Sequence, residues 1–104
     1  MNYREEVILA TDQVRVRILT LDGGQATPWH FHREVADRML CLAGRLAVEY
    51  RDPPERVELS VSDRCEVSVG RVHRVVNLTA EGASDLLVQG VGRYDFNVVD
   101  EPSG

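Results

Sequence analysis

Short runs in which every second residue is apolar constrain the fold of this chain more strongly than any other feature. Four such runs span residues 14–18, 46–50, 57–61 and 65–69. A period of two is typical of β-strands that bury one face and expose the other to water. The residues assigned to the buried faces are Val14, Val16, Ile18, Leu46, Val48, Tyr50, Val57, Leu59, Val61, Cys65, Val67 and Val69.

Turn-forming residues separate these runs, for example DGG at 22–24 and DPP at 52–54. Only REVADRMLCLAG, residues 33–44, offers an amphipathic helix, and it fits two strands joined near Gly44 equally well. Counting the runs gives about eight strands, which predicts an all-β sandwich or barrel. Gly90 and Gly92 interrupt the last run and indicate a bulge or a close backbone approach.

The composition is that of one globular domain. The chain has 104 residues, 43% of them apolar and 28% charged, which is too short for two ordinary domains. Its net charge of −5 disfavours nucleic acid or an anionic membrane as partner, since both need a basic surface. The N-terminal residues lack the apolar segment of a secretion signal, so we expect a cytoplasmic protein with reduced thiols at Cys41 and Cys65.

The three histidines are the candidates for chemistry. His30 and His32 would project from the same face of a strand, about 7 Å apart along the backbone. The remaining histidine, His73, lies in another strand-like run. The pair alone fits a metal site and a solvated loop equally well, so the decision depends on the surrounding spacing.

That spacing resembles the first motif of the cupin family, G-x5-H-x-H-x(3 or 4)-E-x6-G. An aspartate replaces the usual glutamate. The matching residues are Gly24, His30, His32, Asp37 and Gly44.

The second cupin motif, G-x5-P-x-G-x2-H-x3-N, is matched in its second half by Gly70, His73 and Asn77. Its first glycine and its proline are replaced by Ser62 and Ser68. The resemblance covers residues 14–96. Two motifs in the right order and at the right distance are more specific than either alone.

The resemblance implies a single-domain cupin jelly-roll β-barrel over residues 1–104, with a short N-terminal strand and a frayed tail at 100–104. It also implies one divalent transition metal ion, Fe, Mn, Ni, Co or Zn. The ligands carried over by position are His30, His32, Asp37 and His73. Glu34 remains an alternative carboxylate because it shares the strand face of the two histidines, and either acid is a candidate for catalysis. Family spacing favours Asp37.

Inward-facing residues of the other strands are expected to surround the ion. The apolar candidates are Met39, Cys41, Leu46, Val48, Val67 and Val75. The polar or aromatic candidates are Tyr50, Gln89, Tyr94, Asn97, Trp29 and Phe31. Strand parity places no arginine beside the ion, so the sequence predicts no anchor for an anionic substrate.

These expectations favour a metal-dependent enzyme that acts on a small molecule, most consistent with a dioxygenase-like oxidoreductase and an enol or aromatic substrate. Two alternatives stay open: a non-catalytic metal-containing cupin that binds or senses a ligand, and a sugar isomerase or epimerase. A homodimer is also expected, through Leu40, Leu42 and the N-terminal strand.

Overall fold

A computed structural model describes residues 3–100 and arranges them in two five-stranded antiparallel sheets. The first sheet has the order β1-β2-β9-β4-β7 and the second β10-β3-β8-β5-β6. The strands are β1 (Tyr3–Ala10), β2 (Val14–Leu21), β3 (His30–Phe31), β4 (Ala36–Ala43), β5 (Leu46–Tyr50), β6 (Glu55–Leu59), β7 (Arg64–Val67), β8 (His73–Asn77), β9 (Ala83–Gly90) and β10 (Asn97–Val98).

The all-β prediction is confirmed, because residues 3–100 contain no helix. The helical interpretation of residues 33–44 is wrong. This segment forms β4, which pairs with β7 on one side and β9 on the other. Pairing on both edges satisfies the backbone hydrogen bonds that a short isolated helix would have to satisfy alone. Gly44 follows β4 with a φ of 77°, as the strand-turn-strand interpretation requires.

The hydrophobic core lies between the two sheets and is built from the inward residues of both. β4 contributes Met39 and Cys41, as its parity predicts. The other buried apolar members are Leu21, Leu46, Val48, Tyr50, Leu59, Val67, Val75, Ala83 and Leu87. Strand alternation therefore continues across both sheets and produces one shared interior.

The predicted inward face of β2 is wrong. Arg17, Leu19 and Leu21 are buried, whereas Val16 and Ile18 are only partly covered. The run VRVRILTL carries apolar residues in both phases of its alternation, so its period identifies a strand without selecting the buried phase. The consequence is that a guanidinium group, and not a valine side chain, enters the interior.

The predicted burial of three valines at the ends of the runs is also wrong. Val57, Val61 and Val69 are 36%, 56% and 52% exposed. β6 is an edge strand of the second sheet, and the other two valines lie beyond the ends of their strands. Side chains therefore alternate between buried and exposed only where the other sheet packs against the strand.

β1 supplies the expected N-terminal strand, eight residues long, at the edge of the first sheet. Val7, Ile8 and Leu9 on this strand are more than half exposed, and Leu42 is 39% exposed. The homodimer remains a prediction. Of the tail predicted to fray, residues 101–104 lie outside the described part of the chain.

Within residues 3–100 there is no helix of the length and apolarity that a membrane span requires.

Candidate metal centre

Pairing of distant strands brings four predicted side chains together. His30 on β3 and His73 on β8 are direct cross-strand partners in the second sheet. Asp37 projects from β4 of the opposite sheet, and His32 lies just beyond β3. One ligand atom from each of the four lies within 4.8 Å of all the others. All four residues are at most 4% exposed.

Backbone carbonyl groups orient each imidazole ring in the same way. The Nδ1 atoms of His30, His32 and His73 lie 2.7, 2.6 and 2.8 Å from the carbonyl oxygens of residues 28, 95 and 71. A carbonyl only accepts hydrogen bonds, so each Nδ1 carries a proton. In the neutral rings the lone pair is then on Nε2, which is the tautomer of a metal-binding histidine whose Nδ1–H is held by a carbonyl group.

The carboxylate of Asp37 completes the cluster. Its Oδ2 atom lies 3.0 Å from Nε2 of His73 and 3.3 Å from Nε2 of His32. Its Oδ1 atom accepts a hydrogen bond of 2.8 Å from the Gln89 side-chain amide. Lone pairs on Nε2 and Oδ2 repel each other unless a proton or a cation lies between them. The arrangement therefore requires positive charge at its centre.

The pKa values of these groups reflect the same requirement. Burial raises the pKa of Asp37, but hydrogen bonds from His32 and His73 outweigh it and hold the pKa well below its usual range. Burial lowers the pKa of His32, but the hydrogen bond and charge of Asp37 raise it above its ordinary value. Burial, with a contribution from His73, lowers the pKa of His30 to about 4. Asp37 is therefore an anion, and His30 is neutral at pH 7.

Three imidazole nitrogens and one carboxylate oxygen form a donor set that suits a divalent transition metal ion. Donors bound at about 2.0–2.2 Å on adjacent positions of such an ion are about 3 Å apart, close to the two contacts of Asp37. A buried His₃Asp group able to bind a metal is thus present. Glu34 is exposed and lies outside the group, with its Oε1 atom 3.4 Å from the backbone nitrogen of Arg93.

A small cavity adjoins the cluster. Its volume is about 30 Å³, enough for two or three water molecules, since one needs about 10–15 Å³ on this measure. Phe96 stacks on His30 with ring centroids 4.4 Å apart and covers one side of the cavity. The lining residues are Tyr3, Glu5, Arg17, Leu19, Thr27, His30, His32, Asp37, Met39, Val75, Leu87, Gln89 and Phe96.

Solved structures resemble this fold over most of its length. A Klebsiella pneumoniae protein with a double-stranded β-helix domain is 20% identical, with 96% of this chain and 86% of that one covered and a TM-score of 0.83. The fold is that of the cupins. A cupin superfamily protein from Desulfitobacterium hafniense is 13% identical over 86% of this chain and 77% of its own, with a TM-score of 0.74.

An oxalate oxidase in complex with glycolate also has the cupin fold. It is 12% identical, with 93% of this chain covered and a TM-score of 0.82. This chain spans 55% of the length of that oxidase. No protein-family profile and no curated protein matches the sequence. At these identities the similarity establishes the cupin fold alone.

The predicted cavity wall of the cupin fold is only partly found. Met39 and Val75 line the cavity. The other four apolar candidates belong to the core and do not line the cavity: Cys41, Leu46, Val48 and Val67.

Among the polar and aromatic candidates, Gln89 lines the cavity and contacts Asp37. Tyr50 instead contacts Cys65, with its hydroxyl 2.9 Å from the sulfur. Trp29 packs against two arginine side chains. Phe31 is half-buried on β3, and the Asn97 amide donates to its carbonyl oxygen. Tyr94 lies beneath the guanidinium groups of Arg15 and Arg17.

Sequence reasoning missed Arg17, Glu5 and Phe96 as residues of the cavity. The prediction that no arginine lies beside the site is wrong, because Arg17 is on the buried face of β2. The only local signal was the pair Leu19 and Leu21, which share the parity of Arg17. Glu5 and Phe96 carry no such signal, since their position depends on the packing of β1 and of the segment after β9.

Proposed function

We propose that this protein is a metal-dependent oxidoreductase that acts on a very small oxygenated molecule. One divalent transition metal ion, Fe, Mn, Ni, Co or Zn, would be held by His30, His32, Asp37 and His73. The observation that carries the proposal is the convergence of three imidazole nitrogens and a carboxylate next to one small cavity. Such a group is electrostatically unfavourable without a proton or a cation between its donor atoms.

When bound, the ion would supply Lewis acidity and, for a redox-active metal, electron transfer. The residues of the chain have separate tasks. The carbonyl groups at positions 28, 71 and 95 hold the rings in the ligand tautomer. Asp37 reduces the net positive charge of the centre. Met39, Val75 and Leu87 provide an apolar wall that excludes water and strengthens electrostatic interactions inside.

The size of the cavity bears on the substrate. A space of about 30 Å³ favours a small enol or similar compound over an aromatic ring or a sugar. The resemblance of the fold to an oxalate oxidase in complex with glycolate supports the oxidoreductase over the isomerase. These observations support an oxidoreductase with a substrate of few atoms.

A non-catalytic cupin that binds or senses a small ligand is the second candidate. The stacking of Phe96 on His30 favours it, because the ring restricts access to the centre. Oxygen uptake separates the two candidates. The enzyme is expected to consume dioxygen with a small enediol or carboxylic acid, whereas the sensor would bind the same compounds without consuming oxygen.

Elemental analysis of the purified protein tests the metal directly. We expect about one transition metal ion per chain in the wild type and far less in His73→Ala. Val75→Ala is the matched control, since it removes an inward side chain from the same strand without removing a donor. Equal metal content in all three proteins would disprove the ligand set, and absence of metal from the wild type after reconstitution would disprove the proposed function.

A further inference from the structure

A buried arginine lies at the wall of the cavity, which three of the four proposed ligands also line. Arg17 is 4% exposed and lines the same space as His30 and Asp37. Burying a guanidinium group is costly unless its charge and its donors are satisfied. The contacts of Arg17 therefore indicate its role in the cavity.

Three side chains contact the guanidinium group. Nη1 donates to Oε1 of Glu5 at 2.7 Å, and Nη2 donates to Oε1 of Gln89 at 2.5 Å. The hydroxyl of Tyr94 lies 3.4 Å from Nη2. The Nε atom is buried and has no hydrogen-bond partner within residues 3–100. The Nε donor of Arg17 is thus unused in the described part of the chain.

Gln89 connects Arg17 to the metal centre. Its Oε1 atom accepts from Arg17, and its Nε2 atom donates to Oδ1 of Asp37. This orientation of the amide is the one that satisfies both neighbours, because a guanidinium only donates and a carboxylate only accepts. One amide group therefore holds a permanent cation next to the carboxylate of the proposed metal ligand.

The charges of the cavity do not balance once a divalent ion is bound. The ion and Arg17 bring three positive charges, whereas Asp37 and Glu5 bring two negative ones. The Glu5 side chain is 35% exposed, so solvent partly screens its pairing with Arg17 and can replace it when a ligand binds. A cavity with an excess of one positive charge and apolar walls attracts a monoanion.

We propose that Arg17 is the binding group for the carboxylate of a small carboxylic acid, and that Glu5 occupies this position when no ligand is bound. The small cavity favours the smallest such ligands, a two- or three-carbon acid with a second oxygen, such as a hydroxy or oxo acid, whose second oxygen would lie towards the metal centre. This inference rests on the proposed function, since the excess charge depends on the metal.

Calorimetric titration of the zinc-loaded protein with glycolate tests the proposal. Zinc does not change its oxidation state, so binding is measured without turnover. We expect glycolate to bind and ethylene glycol, its uncharged analogue, not to bind. Arg17→Met should weaken glycolate binding about ten- to a hundred-fold, the range for a lost hydrogen bond to a charged group. Glu5→Gln should tighten binding about two- to fivefold by removing the competing carboxylate.

Arg15→Met is the matched control. Arg15 lies two residues away on β2 and also packs on the ring of Tyr94, but it does not line the cavity. Its replacement should leave glycolate affinity unchanged. Arg17→Lys provides a second test if Arg17→Met does not fold: it keeps the charge but loses the forked donor geometry, so binding should still weaken.

Two outcomes separate this inference from the proposed function. If zinc loads and glycolate binds equally well to the wild type and the Arg17 variants, direct chelation explains the binding and the carboxylate site is disproved. If elemental analysis shows that no zinc loads, the metal centre itself is disproved, and the anion site with it. Weaker binding in Glu5→Gln than in the wild type would also contradict the role of Glu5.

Discussion

The two ends of the interior use their polar side chains in opposite ways. At the site end, the Nε atom of Arg17 has no partner among the described residues and Asp37 Oδ2 lies 3.0 and 3.3 Å from two imidazole nitrogens. At the far end, Asn77 is fully satisfied. Its amide donates to the carbonyl groups of Leu21, Asp22 and Glu81 at 3.1, 3.1 and 2.6 Å.

The same strands connect the two ends. β8 carries His73 at the site end and Asn77 at the far end, both buried and both on the inward face. The oxygen of the Asn77 side chain accepts hydrogen bonds from the backbone nitrogen and the hydroxyl of Thr79. Both residues match the second motif, yet Asn77 stabilises a turn whereas His73 belongs to the His₃Asp group. One buried polar side chain of β8 therefore holds a turn, and another belongs to the proposed metal centre.

The largest expected change in the free energy of unfolding follows from a substitution at the far end of the interior. Leu46→Ala removes a side chain that is 1% exposed and should lower the free energy of unfolding by about 2–5 kcal/mol. Metal content should stay unchanged, because Leu46 does not line the cavity. Urea denaturation and elemental analysis measure the two quantities, with Leu42→Ala as the exposed control. Loss of the metal in Leu46→Ala would contradict the separation of the two ends.

Removal of the metal from the site end of the interior should lower the stability of the fold. The ligands come from separate strands, so the unfolded chain cannot bind the ion with comparable affinity. At a free metal concentration a thousand times the Kd, binding stabilises the fold by about 4 kcal/mol. We expect a strong chelator to lower the Tm of the wild type and of Leu46→Ala alike. An unchanged Tm after proven removal of the ion would contradict this prediction.

Asp85 lies between the two ends, on the inward face of β9, and its Oδ2 atom has no partner within residues 3–100. Burial, followed by the charge of Asp37, raises its pKa from 3.8 to about 7. Between these values the unfolded chain holds fewer protons than the folded one. Stability contributed by the protonated carboxyl is therefore complete below pH 3.8 and lost as the pH rises through 7, by at most about 1.4 kcal/mol per pH unit.

The variant Asp85→Asn removes this titration. Its stability relative to the wild type should rise between pH 5 and 8, as measured by urea denaturation across that range. Asp12→Asn, which makes the same change at an exposed position, is the control. A stability difference between Asp85→Asn and the wild type that does not change with pH would show that Asp85 does not titrate with a raised pKa.

Gln89→Met should produce the smallest effect. It removes the amide that holds the Asp37 carboxylate, and loss of such a supporting hydrogen bond weakens metal affinity by about ten- to a hundred-fold. Competition with a chromophoric chelator measures the affinity. Val88→Ala, an adjacent position on the opposite face of β9, is the control. If Gln89→Met and Val88→Ala both bind the metal as tightly as the wild type, Gln89 does not support the metal centre.

The sequence predicted some positions correctly because their cause is local. Parity on β4 placed Asp37, Met39 and Cys41 on one buried face, since every second residue of a strand shares a side. Gly24 and Gly44 have φ values of 70° and 77°, where only glycine is free of strain. The spacing of His30 and His32 depends on the same local geometry.

The phase of β2 was not predictable in this way. The alternation of β2 is compatible with burial of its valine face or of its arginine face. The free energy of burying either face depends on the residues that pack against it. The exposure of Val57 has a similar origin, because no sequence pattern reveals that β6 is an edge strand. Position within the sheet is a property of the whole chain.

By itself, the sequence determined the strands, the turns and the identity of the imidazole and carboxylate groups, because strand period, glycine conformation and donor chemistry are properties of neighbouring residues. Only the tertiary structure decided that Arg17 enters the cavity. Its partners Glu5, Gln89 and Tyr94 lie 12, 72 and 77 residues away in the chain. The free energy of burying a guanidinium group depends on such partners, which meet only when the sheets have formed.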